Sequence, residues 1–187
     1  MGSAKALLTI PDASGQPEYF VQRAVRTLRE AGIVHITVVV NPETRAAITA
    51  VLPPTIVVVV NSKPEDGMVS SIRVALASQG PGGSLATTAD RIVVTLVDIP
   101  EIQVGVVQAI VAVAATEGAW FAIPDFEDGH GHPLLLYRAV FPELERTLPR
   151  GLKTLIEEAP ERIVAVAVAG RQPWDVDTPK DYRRYES

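Results

Sequence analysis

Four runs of β-branched, continuously apolar residues constrain this chain more than any other feature. They are "IVHITVVV" (33–40), "TIVVVV" (55–60), "RIVVTLV" (91–97) and "RIVAVAVA" (162–169). Strict alternation of apolar and polar residues would mark strands with one wet face. A continuous apolar run marks a strand buried on both faces, the situation of parallel strands covered by helices. Helical segments fall between the runs. "EYFVQRAVRTLREAG" (18–32) closes on a glycine suited to a left-handed cap, "PETRAAITAVL" (42–52) opens with proline, and "MVSSIRVALAS" (68–78) follows Gly67. "EIQVGVVQAIVAVAATEG" (101–118) is apolar on most sides, which predicts a helix packed between the sheet and another layer. "PELERTLPRGLKTLIEEA" (142–159) reads as a more polar helical region interrupted at Pro149. The alternation predicts a three-layer, Rossmann-like α/β fold with a mainly parallel sheet. At 187 residues, one domain spanning 1–187 with a single core is expected.

Charge and composition exclude several classes. Seventeen basic residues stand against 22 acidic ones, with no run of either sign, so no electrostatic footprint for a nucleic acid or a membrane surface is present. Cysteine is absent, which removes disulfides and thiolate metal sites. No secretory leader and no apolar stretch long enough to span a bilayer is found, so a soluble cytoplasmic protein is expected.

In open α/β sheets, ligands bind beyond the carboxyl ends of the strands. Three segments fall there: "VVNSKPEDGMVSSI" (59–72), "TLVDIP" (95–100) and "GRQPWDVDTP" (170–179). Asp98 follows an apolar strand and belongs at the rim of the sheet. Asp175 and Asp177 are two apart, so in an extended segment both carboxylates point to one side. Together the three could hold magnesium, which takes hard oxygen ligands and shares its shell with substrate phosphates. The alternative is structural: Asp98 caps a helix starting at Glu101, and Asp177 caps the turn at Thr178 and Pro179. "DFEDGHGHP" (125–133) places His130 and His132 near Asp125, Glu127 and Asp128. That set offers enough ligands for zinc, although two glycines loosen the stretch. His35, inside an apolar run, reads as structural.

"KALLTI" (5–10), "LREAGI" (28–33), "VVVN" (38–41), "GMVSSIRVAL" (67–76), "VVTLVDIP" (93–100), "GHPLLLYRAVFPEL" (131–144) and "DVDTPKDY" (175–182) occur in this order. In order and spacing they resemble the MobA-like nucleotidyltransferases, the relatives of molybdenum cofactor cytidylyltransferase and molybdopterin guanylyltransferase, and are more similar to the cytidylyltransferase branch. The resemblance implies a magnesium-dependent enzyme that moves CMP, or another nucleoside monophosphate, from CTP or GTP to a molybdopterin-type acceptor and releases pyrophosphate. It implies roles for residues: Lys5 on the triphosphate, Asp98 with Asp175 and Asp177 on the metal, Asn61, Gly67, Ser70 and Ser71 facing base and ribose, and His132 on the acceptor side. A sugar-phosphate nucleotidyltransferase and a non-catalytic scaffold of the same fold are the alternatives.

The chain departs from the family pattern twice. The family opens with a central strand and a glycine-rich phosphate loop, of which "MGSAK" matches only the last residues. The resemblance therefore implies that the first strand and most of that loop are missing from these 187 residues, through a late start or through degeneration. Weak CTP binding, slow or absent turnover, and self-association through unpaired strand edges are expected consequences. "LPRGLKTLIEE" (148–158) also stands where the cytidylyltransferases carry a Gly-Asp-x-Gly-like segment, which bears on the acceptor.

Overall fold

The computed structural model describes residues 5–80, 83–114 and 116–185. A 3-10 turn at Lys5–Leu7 leads into a hairpin of β1 (Thr9–Pro11) and β2 (Pro17–Tyr19), followed by α1 (Phe20–Glu30). Val21, Val25 and Leu28 recur at helical spacing on the buried face of α1. On its other side, Arg23 and Arg26 both pair with Glu18. The helix stops before Gly32, whose φ of +93° is open to glycine.

Next come β3 (Thr37–Val40), α2 (Arg45–Val51) and β4 (Val57–Val60). β3 and β4 pair in parallel, Thr37 opposite Val57 through Val40 opposite Val60. α3 (Met68–Ala77), a minimal hairpin of β5 (Gln79–Gly80) and β6 (Gly83–Ser84), and α4 (Leu85–Thr88) lead to β7 (Arg91–Val94). Then follow α5 (Val104–Ala112), β8 (Phe121–Phe126), β9 (Gly129–His130) and β10 (Leu134–Tyr137). A 3-10 stretch (Arg138–Glu145), α6 (Leu152–Glu158), β11 (Ile163–Ala167) and α7 (Pro179–Tyr182) complete the order.

The largest ladder runs β11-β8-β10-β7, with β9 on β8. β11 is parallel to β8, and β10 is antiparallel to both β8 and β7. β7, β8 and β11 therefore share one direction, with β10 reversed among them. Segments leaving the carboxyl ends of β4, β7 and β11 line one cavity, so these strands end on the same side of the molecule. The sheet is mainly parallel, as the sequence predicts.

Three layers follow from side-chain alternation. Leu134 and Leu136 of β10 enter a core with Val69, Ile72 and Leu76 of α3 and Leu152 and Leu155 of α6. Leu135 and Tyr137 point the other way, toward Ile110 of α5, and α5 also packs on α1 through the core that holds Val107, Val21 and Val25. Opposite faces of one strand thus meet different helix layers. Ile110 and Val107 are fully buried, consistent with an apolar helix between sheet and neighbouring helix.

The sequence differs from the structure in three places. The first strand begins at Thr37 rather than Ile33: β4 starts at Val57, so residues before Ile36 have no ladder partner. His35 is consequently exposed and outside any strand. The strands at 91–97 and 162–169 are also shorter, Arg91–Val94 and Ile163–Ala167. Finally, β8 and β10 lie within the main ladder but do not read as strands. "FAIPDF" contains a proline, which cannot donate to a ladder, and "LLLY" lacks β-branched residues. No helix among the described residues is long and apolar enough to cross a membrane.

Candidate active site

The segment Trp174–Thr178 is pinned by its central valine. Val176 is 1% exposed, packs with Ile10 and Phe20, and donates its backbone N–H to the Asp98 carbonyl at 2.8 Å. Burying such a side chain contributes about 1.5–3 kcal/mol. Extended-chain alternation then sends Asp175 and Asp177 away from the core, on the side opposite Val176. Past this point Thr178 caps α7, its N–H donating to Asp181 Oδ2 at 2.8 Å while Asp181 N–H returns to Thr178 Oγ1 at 3.3 Å. Tyr182 locks the tail by donating its hydroxyl to the Thr9 carbonyl at 2.7 Å.

Both structural alternatives for the aspartates fall to these caps. Thr178, not Asp177, is the cap of α7. The helix after Asp98 begins at Val104, with Gln103 in the capping position, so the Asp98 carboxylate is not engaged there. It accepts instead from Lys5 Nζ at 2.9 Å, and the same ammonium donates to Asp177 Oδ1 at 2.6 Å. Residues 93 and 172 positions apart in sequence are joined through Lys5. The Lys5 and Asp98 side chains are 30% and 25% exposed, Asp177 67%. Partial burial pulls the Lys5 pKa down, but hydrogen bonds and charge from Asp177 and Asp98 prevail and hold it above the usual lysine value. Asp175 belongs to the same cluster: burial and the like charges of Asp98 and Asp177 raise its pKa, opposed by His132 and Lys5.

His132 is largely buried beside this cluster, after a loop whose His132–Pro133 peptide is cis. Burial lowers its pKa, while Asp175, Asp98 and a hydrogen bond with the Val94 backbone push back. Its Nδ1 has no partner among the described residues. A base with a lowered folded pKa binds fewer protons folded than unfolded, so stability is lost as pH falls from about 6.5 toward the folded value. Equilibrium unfolding of His132→Gln should lack that part of the acid slope; an unchanged slope would mean that His132 titrates normally.

Asn61, at the end of β4, is 3% exposed. Its Nδ2 donates to Ser70 Oγ at 2.7 Å and Ser71 Oγ at 3.1 Å, and its Oδ1 accepts from Lys63 N–H at 2.9 Å. Ser70 Oγ also lies 2.7 Å from the Gly67 carbonyl, to which it can donate. One amide thus ties the strand end to the first turn of α3. Gly67 has φ +79° and ψ −173°, a conformation restricted to glycine, with no atom near its missing Cβ. Gly67→Ala should therefore cost about 1–3 kcal/mol through backbone strain alone, read as a shift of the denaturation midpoint at unchanged slope.

Two groups of predicted residues are thus assembled. Lys5, Asp98, Asp175, Asp177 and His132 form one cluster; Asn61, Gly67, Ser70 and Ser71 form a second at the end of β4. A cavity of about 1220 Å³ touches both, lined by Gly67, Ile99, His132 and Asp175 among others. His130 also lines this cavity, its Nδ1 3.2 Å from Asp125 Oδ1. Among the described residues no group of three His, Asp or Glu side chains is arranged to hold a metal ion, which leaves without support both the zinc reading of residues 125–133 and, with Lys5 bonded to two of the three carboxylates, the expected metal set of Asp98, Asp175 and Asp177 as they stand. Residues 1–4, where the end of the phosphate loop is expected, lie outside the described residues.

Sequence reasoning missed two supports of this cavity. Arg73 of α3 donates through Nε to the Leu144 carbonyl at 2.6 Å and through a terminal nitrogen to that of Arg146 at 2.7 Å, fixing the far wall. Gln172 packs on Gly131, where an added Cβ would lie 3.0 Å from both Gln172 Oε1 and Phe126 Cε2. Only the glycine gave any sequence signal.

The mainly parallel α/β sheet thus gathers a lysine and three aspartates at its carboxyl edge, and the class to which this fold belongs follows from its likeness to known proteins. The model of the MobA-like NTP transferase domain matches residues 1–163, and the chain belongs to that family. Among solved structures it is similar to Rv0371c from Mycobacterium tuberculosis H37Rv, at 29% identity and TM-score 0.79, covering all of this chain and 91% of that one. A second structure of Rv0371c, in complex with manganese, aligns at 28% identity and TM-score 0.74, covering 100% and 94%. The fold is shared with 4-diphosphocytidyl-2C-methyl-D-erythritol synthase from Anaerococcus prevotii, at 11% identity and TM-score 0.68, covering 90% and 87%. No curated protein sequence matches the chain.

Proposed function

We propose that the chain transfers a nucleoside monophosphate, CMP in preference to GMP, from the triphosphate to a phosphorylated acceptor of molybdopterin type. The observation that carries this reading is the junction of Lys5 with Asp98 and Asp177 at the carboxyl edge of the sheet, beside the cavity. At about 1220 Å³ that cavity exceeds the roughly 300–1,000 Å³ of an ordinary single-ligand site, which suits a donor and an acceptor together. In the reaction an acceptor phosphate oxygen bonds to the α-phosphorus, the bond to the bridging oxygen breaks, and pyrophosphate leaves with the charge.

Asp98, Asp175 and Asp177 carry hard carboxylate oxygens of the type magnesium and manganese take; as they stand they are not arranged to hold an ion, so Lys5 has to leave Asp98 and Asp177 before they can close on one. That a similar protein was solved with manganese supports a divalent ion in this role. When bound, such an ion neutralises phosphate charge and orients the triphosphate. Lys5 supplies positive charge to the phosphates, which requires it to exchange its carboxylate partners for phosphate oxygens. Asn61 holds the Gly67–Ser71 turn, whose backbone faces base and ribose, and His132 borders the acceptor side.

Nuclear magnetic resonance titration tests the reading. CTP with magnesium should shift the amides of Lys5, Asn61–Ser71 and Asp98, with a dissociation constant on the order of 1 mM or tighter. Shifts at these residues with GTP and none with CTP would overturn the choice of base. No shift with any triphosphate would overturn the function.

A further inference from the structure

The segments that carry Lys5, Asp98 and Asp177 are tied to one another by their backbones as well as by their charges. Val176 N–H donates to the Asp98 carbonyl at 2.8 Å, which fixes the chain just before Asp177. After Asp177 the fixing point is Tyr182. In an antiparallel pair, alternate residues turn both of their peptide groups away from the partner strand, and Thr9 of β1 is such a residue. The Tyr182 hydroxyl donates to the Thr9 carbonyl at 2.7 Å and accepts from the Thr9 N–H at 3.4 Å. One phenol thus stands where the peptide group of a neighbouring strand would. The Tyr182 ring meets Phe20 edge to face, with centroids 6.1 Å apart, and Phe20 is fully buried.

These bonds close a circuit. The Lys5 carbonyl accepts from Leu8 N–H at 3.0 Å, Leu8 precedes Thr9, and Thr9 is joined to Tyr182. Tyr182 N–H donates to the Thr178 carbonyl at 3.2 Å, Thr178 follows Asp177, and Asp177 Oδ1 returns to Lys5 Nζ at 2.6 Å. We infer that Tyr182 is a positioning residue for the proposed reaction: its hydroxyl, through Thr9 and Thr178, holds Asp177 where its carboxylate meets Lys5. The need for such a residue follows from Asp177 itself. Its side chain is 67% exposed, and among the described residues its carboxylate bonds to Lys5 alone. Once Lys5 turns to a phosphate, no bond at the carboxylate keeps it in place, and the anchors on either side, Val176 and Tyr182, have to do so. Side chains that act on a substrate are held in productive geometry by bonds of this kind behind them. The inference rests on the proposed role of the Lys5 cluster, and it adds a residue outside the cavity to that role.

Its test is Tyr182→Phe in the full chain, which keeps the aromatic ring against Phe20 and removes only the hydroxyl. The nuclear magnetic resonance signal of the Lys5 ammonium, recorded at low temperature, reports on the circuit directly. Exchange of its protons with water should be about fivefold faster in the variant, the factor that one hydrogen bond sets, while the core amides of Ile110 and Leu135 exchange as before. Tyr185→Phe removes a neighbouring hydroxyl that meets Glu101 outside the circuit and should leave the Lys5 signal unchanged. An unchanged Lys5 signal in Tyr182→Phe overturns the inference. So does the same change in both variants, or a change matched by equal acceleration in the core, which would make Tyr182 a support of the fold alone. With CTP and magnesium as the probe, Tyr182→Phe should bind about fivefold more weakly than the unaltered chain, and equal affinity overturns the inference as well. A changed Lys5 signal with no triphosphate binding in any variant upholds the tie from Tyr182 to Asp177 and overturns the nucleotide reading instead.

Discussion

Asp98→Asn should lower nucleotide transfer by about a hundredfold or more while leaving the fold in place, because the carboxylate does its work outside the fold's own bonding. The Asp98 backbone carbonyl, which holds Val176 at 2.8 Å, is untouched by the substitution. What is lost is one charge-assisted bond to Lys5, partly solvated and therefore worth about 1 kcal/mol or less. Charge stabilisation at a reacting phosphate is a larger effect, and removing one such contributor commonly costs two or three orders of magnitude. The same substitution separates metal binding from folding. An ion bound only by the folded chain stabilises it by mass action, about 2.7 kcal/mol at a hundredfold excess over its dissociation constant. Magnesium or manganese should raise the melting temperature of the unaltered chain and have little effect on the Asp98→Asn variant. Equal shifts in both would move the metal away from Asp98.

The cluster around Lys5 also predicts how ion and lysine share the site. Lys5 Nζ sits within hydrogen-bonding distance of two of the three carboxylates, and Asp175 is left facing like charge. A cation entering among them competes with the ammonium for the same oxygens. A triphosphate removes the conflict by giving Lys5 other anionic partners. Metal and nucleotide are therefore expected to bind with positive coupling, each tightening the other by the same factor, as linkage requires.

How far the sequence carries depends on whether a feature is local. Continuous runs such as "TVVV" and "RIVV" announce buried parallel strands because burial on both faces leaves no room for polar alternation. The spacing of Val21, Val25 and Leu28 announces the buried face of α1 in the same way. By contrast, β10 is legible only through its partners: "LLLY" is a strand because β7 and β8 offer it ladder edges on both sides. The pair Asp175 and Asp177 could be read as pointing to one side, but not that Val176 between them is the anchor, which depends on Ile10 and Phe20 far away in sequence. The spacing Thr178-Pro179-Lys180-Asp181 does carry the capping-box signal that makes Thr178 the cap, but nothing local foretells that Asp177 meets Lys5.

Asn61→Leu should cost about 1–3 kcal/mol, since it removes three hydrogen bonds made by one buried side chain at once. The leucine has nearly the right volume, so no cavity is left to account for the loss. The cost arises from what remains: the Lys63 N–H loses its acceptor at 2.9 Å, and the Ser70 and Ser71 oxygens lose a donor at 2.7 and 3.1 Å. A fully buried polar group without its partner costs about 1–3 kcal/mol, but Lys63 is exposed and Ser70 and Ser71 are only partly buried, so water replaces part of each lost bond. Ser70 retains acceptors in the Gly67 and Lys63 carbonyls, which keeps the estimate below a simple sum. The functional effect should exceed the stability effect. With the Asn61 bonds gone, the tie between the segment after β4 and the turn at Gly67–Ser71 is weakened to contacts such as Ser70 Oγ on the Lys63 carbonyl, and the wall proposed to face the base loses part of its preorganisation. Triphosphate affinity should fall at least tenfold at temperatures where the variant is still fully folded. Asn61→Asp keeps the acceptor for Lys63 but loses the donor and puts a carboxylate in a site 3% exposed, so its stability should fall as pH rises through its carboxyl pKa and the group ionises. Normal affinity in a folded Asn61→Leu variant would show that the base is held by some other part of the cavity.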